Sequence, residues 1–297
     1  MFIIDLNQII ISNIMSQIGS HTDVLEENLI RHSVLNTIRS LNMKFGNEYG
    51  ELVIATDNKR YWRKEVFPHY KASRKKAREE SEIDWNLLFG TINTVKEEII
   101  ENFPYKVIDV DGAEADDVIG VLCKNYSTME PVLILSSDKD FIQLQRYPNV
   151  KQYSPMMKKF VKHHNPMEYI REHTIKGDRG DGIPNFMSDD DTFVAENKRQ
   201  KPISKKKLEV WLDLSKKPEE LFNEDQLAGY KRNELLVDLT NTPSDIELAI
   251  LEEFKKTPKG NMQKVFNYFI KNRMSVLRES LQEFRPKVKE KTHNTLF

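Results

Sequence analysis

Between Ile108 and Asp140 the chain gathers acids in a way that chemistry could use. The stretch opens Ile-Asp-Val-Asp-Gly-Ala-Glu-Ala-Asp-Asp-Val-Ile-Gly and closes Val-Leu-Ile-Leu-Ser-Ser-Asp-Lys-Asp-Phe. Glu114, Asp116 and Asp117 fall within four positions, and Asp138 and Asp140 flank one lysine. Like charges held so close repel and raise one another's pKa. A hard divalent cation with oxygen ligands is the simplest relief, and magnesium needs few protein carboxylates because it keeps several waters. One bound metal lowers the pKa of its water, and a second clamps the departing oxygen of an in-line displacement. The chemistry suggested is metal-dependent phosphodiester cleavage.

Such acids must be carried to one place, and the apolar runs before them say how. Phe2-Ile3-Ile4 ends in Asp5, Leu52 to Thr56 in Asp57, Lys106 to Ile108 in Asp109, and Val132 to Ser136 runs into Asp138. Short apolar runs separated by helix-length segments predict buried parallel strands joined by crossovers. In open α/β sheets ligands bind outside the carboxyl ends of the strands. One acid after a strand is ordinary capping or turn chemistry; four in succession point to a shared site. Glu114 and Asp117, three apart, share a face at a helix start, where the positive end of the dipole eases their repulsion. The spacing of Leu88, Ile92, Val95 and Ile99 predicts a core-facing helix over 85–103. Another is expected over 26–43, and Val150 to Tyr153 is expected to be a fifth strand.

Length and composition allow one large or two smaller units: 297 residues, 39% hydrophobic and 31% charged, net charge −1. The single Cys123 excludes an internal disulfide and suits a reducing compartment as a small buried residue. With no run of about 18 apolar residues and no leader-like segment, a cytoplasmic chain without membrane association is expected.

Charge is segregated. Residues 59–78 hold nine basic side chains, among them Arg63, Lys64, Lys71, Arg74 and Lys75, against the single acid Glu65. Tyr61, Trp62, Phe67, His69 and Tyr70 are interleaved. Cations for phosphates and rings for bases suit a nucleic-acid strand, although most charge runs are merely solvated faces. Further on, three glycines surround Asp178 and Asp181 in Gly-Asp-Arg-Gly-Asp-Gly, a turn able to present backbone N–H groups and carboxylates. Ser204 is placed to cap a helix through Leu214 whose first turn carries Lys205, Lys206 and Lys207; cations there oppose the dipole, so either an anionic partner or a plainly exposed basic face fits. After Pro218 the pattern is helical. Ser244 to Glu247 matches a capping box, and Val265, Phe266, Phe269, Ile270 and Leu277 are expected to pack inward. Residues 285–297 read as a flexible tail or a short partner-binding peptide.

Taken in order, Phe2-Ile3-Ile4-Asp5, Ala55-Thr56-Asp57, Glu114-Ala115-Asp116-Asp117, Ser137-Asp138-Lys139-Asp140-Phe141 and Gly177-Asp178-Arg179-Gly180-Asp181 resemble the motif series of the 5′-nuclease superfamily, which includes flap endonucleases. Tyr61-Trp62-Arg63-Lys64, Lys76 to Ser81 and Tyr147 to Gln152 are similar to the ribonuclease H branch found in T-even bacteriophages. The resemblance implies a PIN-like α/β nuclease domain over 1–160 with a mostly parallel sheet and a basic helical arch over about 58–82. It implies a helical region over 161–284 with a helix–three-turn–helix. It also implies two magnesium ions, with manganese able to substitute. Asp5, Asp57, Glu114, Asp116, Asp117 and Asp138 would serve the first ion, directly or through water; Asp140, Asp178 and Asp181 would serve the second. Tyr70, Lys71 and Arg74 match arch residues that position the scissile phosphate. The implied substrates are RNA–DNA hybrid and DNA duplexes with 5′ ends or flaps, cut by a monomer during primer removal. The single-strand-binding protein and sliding clamp of a replisome are its implied partners. The chain departs from the pattern at Gly182, where the superfamily often has Asn, and lacks its Gly-x-Gly-x-Lys; a longer segment through Lys205 and Lys206 stands there.

Other readings have specific weaknesses. A calcium loop opening at Asp138 would have Ile142, Gln143 and Asn149 at its ligand, glycine and glutamate positions. An aspartyl phosphatase, a different metal-dependent phosphohydrolase, leaves the basic–aromatic segment without a purpose. A non-catalytic nucleic-acid binder would use the acids only as caps and would need no divalent ion.

Overall fold

The computed structural model describes residues 1–18, 27–81 and 83–288. Of the tail expected over 285–297, residues 289–297 lie outside the described residues.

Six strands form one sheet: β1 (Phe2–Asp5), β2 (Leu52–Ala55), β3 (Lys106–Ile108), β4 (Val132–Leu135), β5 (Val150–Ser154) and β6 (Lys159–Val161). Their order is β3-β2-β1-β4-β5-β6, parallel throughout except for β6, which turns back antiparallel on β5. The chain steps outward from β1 to β3, then returns to place β4 on the other side of β1. That reversal opens a crevice between the carboxyl ends of β1 and β4, where doubly wound sheets bind ligands.

Side chains alternate across a strand, so each strand feeds two cores. Phe2, Ile4, Leu52, Ile54, Leu133 and Leu135 face one side, covered by the helices Glu27–Tyr49 and Trp85–Asn102. Met1, Ile3, Val53, Ala55, Val132 and Ile134 face the other, covered by Ala115–Tyr126 and Ser244–Lys255. Leu88, Ile92, Val95 and Ile99 are all buried, as their spacing predicts, and so is Cys123. Burying one such large side chain contributes about 1.5–3 kcal/mol, so two filled faces hold the strand ends rigidly. The carboxyl-terminal helices belong to these same cores: Ile250 and Phe254 pack on one face, Val265, Phe269 and Phe284 on the other. Tyr105 donates its hydroxyl to the Phe284 carbonyl at 2.7 Å, tying residue 284 to β3.

Some local expectations fail. Ile270 is half exposed, and Tyr268 takes the inward position instead. The box expected at Ser244–Glu247 does not form, because Glu247 reaches Lys124 at 2.8 Å and Asn125 at 3.1 Å. Among the described residues no helix is long and apolar enough to cross a membrane.

Candidate metal centre and nucleic-acid interface

The carboxyl ends of β1, β2 and β4 deliver Asp5, Asp57 and Asp138 to one crevice, and the helix Ala115–Tyr126 aims its first turn into it. Asp5 is almost wholly buried, and its pKa is pushed up to about 7, first by desolvation and then by the charges of Asp57 and Asp138. Asp116 lies well above its ordinary value, by burial and then by Asp138, Asp5 and Glu114. Asp57 accepts from Asn7 at 2.7 Å and from the Ala115 backbone at 2.9 Å, which locks β2 to the helix start.

Glu114 and Asp117 are in the same turn but differently engaged. Asp117 is fully buried. It accepts from Arg63, from Trp62 Nε1 at 3.2 Å, from Thr242 at 3.1 Å and from the Glu114 backbone N–H at 2.9 Å. With both oxygens so occupied by protein donors, it fixes the helix start instead of facing an ion. Glu114 accepts from Arg63 at 2.9 Å and from Lys71 at 2.5 Å.

A second acidic group lies beside the first. Asp140, just past β4, has its pKa raised to about 7, chiefly by burial, with Asp138, Asp178 and Asp181 adding to it and His173 opposing. Asp178 is held down at about 2, first by the hydrogen bond with His173. His173, on the helix Pro166–Lys176, places Nε2 3.3 Å from Asp178 Oδ2 and Nδ1 3.5 Å from Asp140 Oδ1. Burial lowers its pKa, but Asp178 and Asp140 outweigh that and raise it overall. One ligand atom from each of Asp140, His173 and Asp178 falls within 4.8 Å of the others. The turn holding Asp178 and Asp181 is closed by an Asp178–Ile183 bridge. It begins at Gly177 (φ +68°) and passes Gly182 (φ +75°), where a Cβ would stand 2.8 Å from the His69 carbonyl. That contact explains glycine at a position where the resembling family often has Asn.

The basic segment folds onto these acids. It forms two short helices, Trp62–Val66 and Ser73–Glu79, joined by turns. Lys71 sits between the two acidic groups, bonded to Glu114 and 3.7 Å from Asp181. Burial alone would lower its pKa, but Asp181 and Glu114 raise it. Its backbone is left-handed (φ +55°) and donates to the Asp181 carbonyl at 2.7 Å. A non-glycine residue in that region is strained and is held there by its surroundings. Arg74 pairs with the Asp181 carboxylate and donates to the Gly180 carbonyl at 3.1 Å. The Tyr70 hydroxyl stands 3.0 Å from Glu114 and 2.9 Å from Asp181, one proton between two carboxylates.

Beside this lies an open groove of about 310 Å³, lined by Asp57, Tyr61, Lys64, Lys71, Arg74 and Arg78 among others. Cations and the rings of Tyr61 and Phe89 thus border the acids on this side. Several residues expected at that surface are elsewhere. Arg63 is buried, bonded to Glu114, Asp117 and the Leu236 carbonyl, because the buried carboxylates need a partner; it does not face a substrate. Trp62, Phe67 and Tyr70 are buried too, so their rings fill core and do not stack on bases. Lys75 is exposed, 3.9 Å from Glu79. Lys205 and Lys206 head the helix Lys205–Trp211, which Ser204 caps, and among the described contacts none joins them to the acids. Sequence reasoning missed His173. Its only signal was a place five residues before Asp178 in the last turn of a helix that leads into the glycine turn.

The donor sets suit divalent cations: crowded oxygens whose pKa values rise, first by burial and then by one another's charge, and one buried imidazole nitrogen, Nδ1, without a hydrogen-bond partner.

Comparison with known proteins agrees with this geometry. Residues 4–175 match the family described as 5′-3′ exonuclease, N-terminal resolvase-like domain, and residues 166–284 match the one described as T4 RNase H, C terminal. The chain is 34% identical over 294 residues to the ribonuclease H of Enterobacteria phage T4, covering 95% of each chain. It is 29% identical over 161 residues to a 5′-3′ exonuclease of Buchnera aphidicola (from Schizaphis graminum), about half of each chain. In fold it is similar to a bacteriophage T5 protein co-crystallised with metal ions (TM-score 0.60, 17% identity, 86% of this chain and 98% of that one). A T5 flap endonuclease complexed with DNA and metal ions is comparable (TM-score 0.59, 18% identity, 86% and 99%).

Proposed function

Because this chain belongs to the 5′-3′ exonuclease family and is a nuclease, we propose that it hydrolyses phosphodiesters at the 5′ ends and flaps of RNA–DNA and DNA duplexes, using two magnesium ions. The observation that carries the reading is the meeting of acids from β1, β2, β4, one helix start and the glycine turn, with Lys71 and Arg74 laid across them. When bound, divalent ions supply a nucleophile at neutral pH and relief of phosphate charge.

The chain's own residues do the rest. Asp5, Asp57, Asp116 and Asp138 hold the first ion, directly or through water; Asp140, Asp178 and Asp181 build the second site. Glu114 lines the first site from behind, and Asp117 with Arg63 fixes the helix that presents it. Lys71 and Arg74, bonded to Glu114 and Asp181, are placed to exchange those carboxylates for the scissile phosphate. Tyr70 aligns them, Tyr61 and Lys64 guide the strand, and Lys75, Lys205 and Lys206 meet backbone phosphates farther out. Likeness over nearly the whole chain to a phage ribonuclease H supports primer removal in replication, beside a single-strand-binding protein and a sliding clamp. Manganese substitutes for magnesium in this reading.

Incubation with 5′-labelled flap and RNA–DNA substrates tests it. Cleavage is expected with magnesium, not with EDTA, and not with Asp138→Asn although that variant folds. Undiminished cleavage in EDTA or by the variant would refute it.

A further inference from the structure

Resting on that two-ion reading, we propose that His173 is itself a ligand of the second ion, through Nδ1, and that Asp178 serves there to orient the imidazole. Asp178 decides which ring nitrogen holds the proton. Asp178 Oδ2 lies 3.3 Å from Nε2, and Asp178 Oδ1 already accepts from the Asp181 backbone at 3.0 Å. An ionised carboxylate only accepts, so Nε2 carries the hydrogen of that contact. In the neutral ring Nδ1 is then a bare lone pair. It is buried, has no hydrogen-bond partner, and faces Asp140 Oδ1 at 3.5 Å. A cation bound between them would satisfy both acceptors at once.

Ligating histidines characteristically give their other N–H to a carboxylate, which fixes the ring and its tautomer. Here the carboxylate is Asp178, and its own orientation is set by the glycine turn. The ring is also braced edge-on by Tyr169, at a centroid distance of 6.1 Å. A mixed set of imidazole nitrogen and carboxylate oxygen favours manganese, cobalt and zinc over magnesium relative to an all-oxygen set. His173 therefore makes the second site the one that discriminates between ions, while the first remains an oxygen site.

The probe is Mn²⁺ added to the metal-free full-length protein. Two equivalents are expected to bind, and the electron spin echo should show the nitrogen modulation of a coordinated imidazole. The chain has seven histidines, so His173→Gln assigns the signal. That variant should lose the modulation and weaken Mn²⁺ at one site by at least about tenfold. Its Mg²⁺ affinity should move by less than about threefold, since magnesium gains little from imidazole. Two bound equivalents without nitrogen modulation in the wild-type protein would overturn the proposal with no variant needed, and would leave His173 as a cation bridging Asp140 and Asp178. Failure to bind Mn²⁺ at all would overturn the metal-dependent reading, and this one with it.

Discussion

Arg63 and Asp117 form a two-point ion pair sealed from solvent: Nη1 donates to Oδ2 at 3.0 Å, and Nη2 stands 2.9 Å from Oδ1. The pair joins the basic segment to the first turn of the helix that carries Asp116, so the cationic and acidic halves of the site move as one. Trp62, Thr242 and the Glu114 N–H supply the remaining donors to the carboxylate, while Arg63 Nη2 is held by charge alone, without an aligned hydrogen bond.

Breaking such a pair costs far more than the pair contributes, because a bare charge stays behind. Arg63→Met should destabilise the protein by about 3–5 kcal/mol. Arg63→Met combined with Asp117→Leu should restore part of that loss. Urea midpoints measure both. A single variant within about 1 kcal/mol of wild type would mean the pair behaves like an exposed one.

Lys71 and Arg74 are expected to act on turnover more than on binding. Both lie over the acids, pinned to Glu114 and Asp181, whereas the wider groove with Tyr61 and Lys64 is where the proposed strand would run beyond them. Lys71→Ala and Arg74→Ala should each lower kcat by about a hundredfold, as loss of one positioned charge does. Duplex affinity should change little. Single-turnover rates set against equilibrium binding separate the two, and an equal loss in both would make these residues simple phosphate grips.

The sequence disclosed the first five strands and the acids because both depend on local pattern, but not the short antiparallel β6. Four short apolar runs each end in an acid, and strand alternation sorts Phe2 and Ile4 from Ile3 onto opposite faces. What it could not disclose was burial within the basic segment. Arg63 and Lys64 are neighbours of like charge, yet one is sealed inside and the other borders the groove. The difference comes from Glu114, Asp117 and the Leu236 carbonyl, some fifty and more residues away along the chain. His173 was hidden for a similar reason. Its partners follow from how the helix Pro166–Lys176 lies against the segment after β4, which no spacing encodes.

Stability of the metal-free protein should fall as pH rises through the range where these acids ionise. Asp5 and Asp140 titrate at about 7 in the folded protein, against about 4 in an unfolded chain. Between those values the folded state binds more protons, so each rise in pH favours unfolding. His173, raised by its carboxylate partners, acts in the same direction: its contribution is complete below the ordinary histidine value and is lost as pH rises. Asp178, held at about 2, stabilises above about pH 4 and loses that only in strong acid. Divalent ions bind the ionised carboxylates, so magnesium should raise Tm more at about pH 8 than at about pH 5.5. Calorimetric scans with EDTA and with magnesium at both pH values check this. An equal rise at both would place the ion away from Asp5 and Asp140.

The glycine turn at Gly177 carries the proposed second site, and it should tolerate no side chain there. At Gly177 the backbone is left-handed, and a Cβ would meet the Ile183 carbonyl oxygen at 2.4 Å and that of Pro184 at 2.5 Å. Both are backbone atoms of the loop that closes on Asp178, so nothing flexible can yield. Gly177→Ala should cost about 1–3 kcal/mol from strain, and it should abolish binding of the second manganese equivalent while sparing the first. Gly90 is the contrast. It lies in the helix Trp85–Asn102 with nothing within 4 Å of an added Cβ, so Gly90→Ala should stabilise by about 0.5–1 kcal/mol with cleavage unchanged. Thermal melting with manganese stoichiometry reads both variants. Retention of two equivalents by Gly177→Ala would show that the turn adapts, and that the position of Asp178 is set by His173 instead of by the loop.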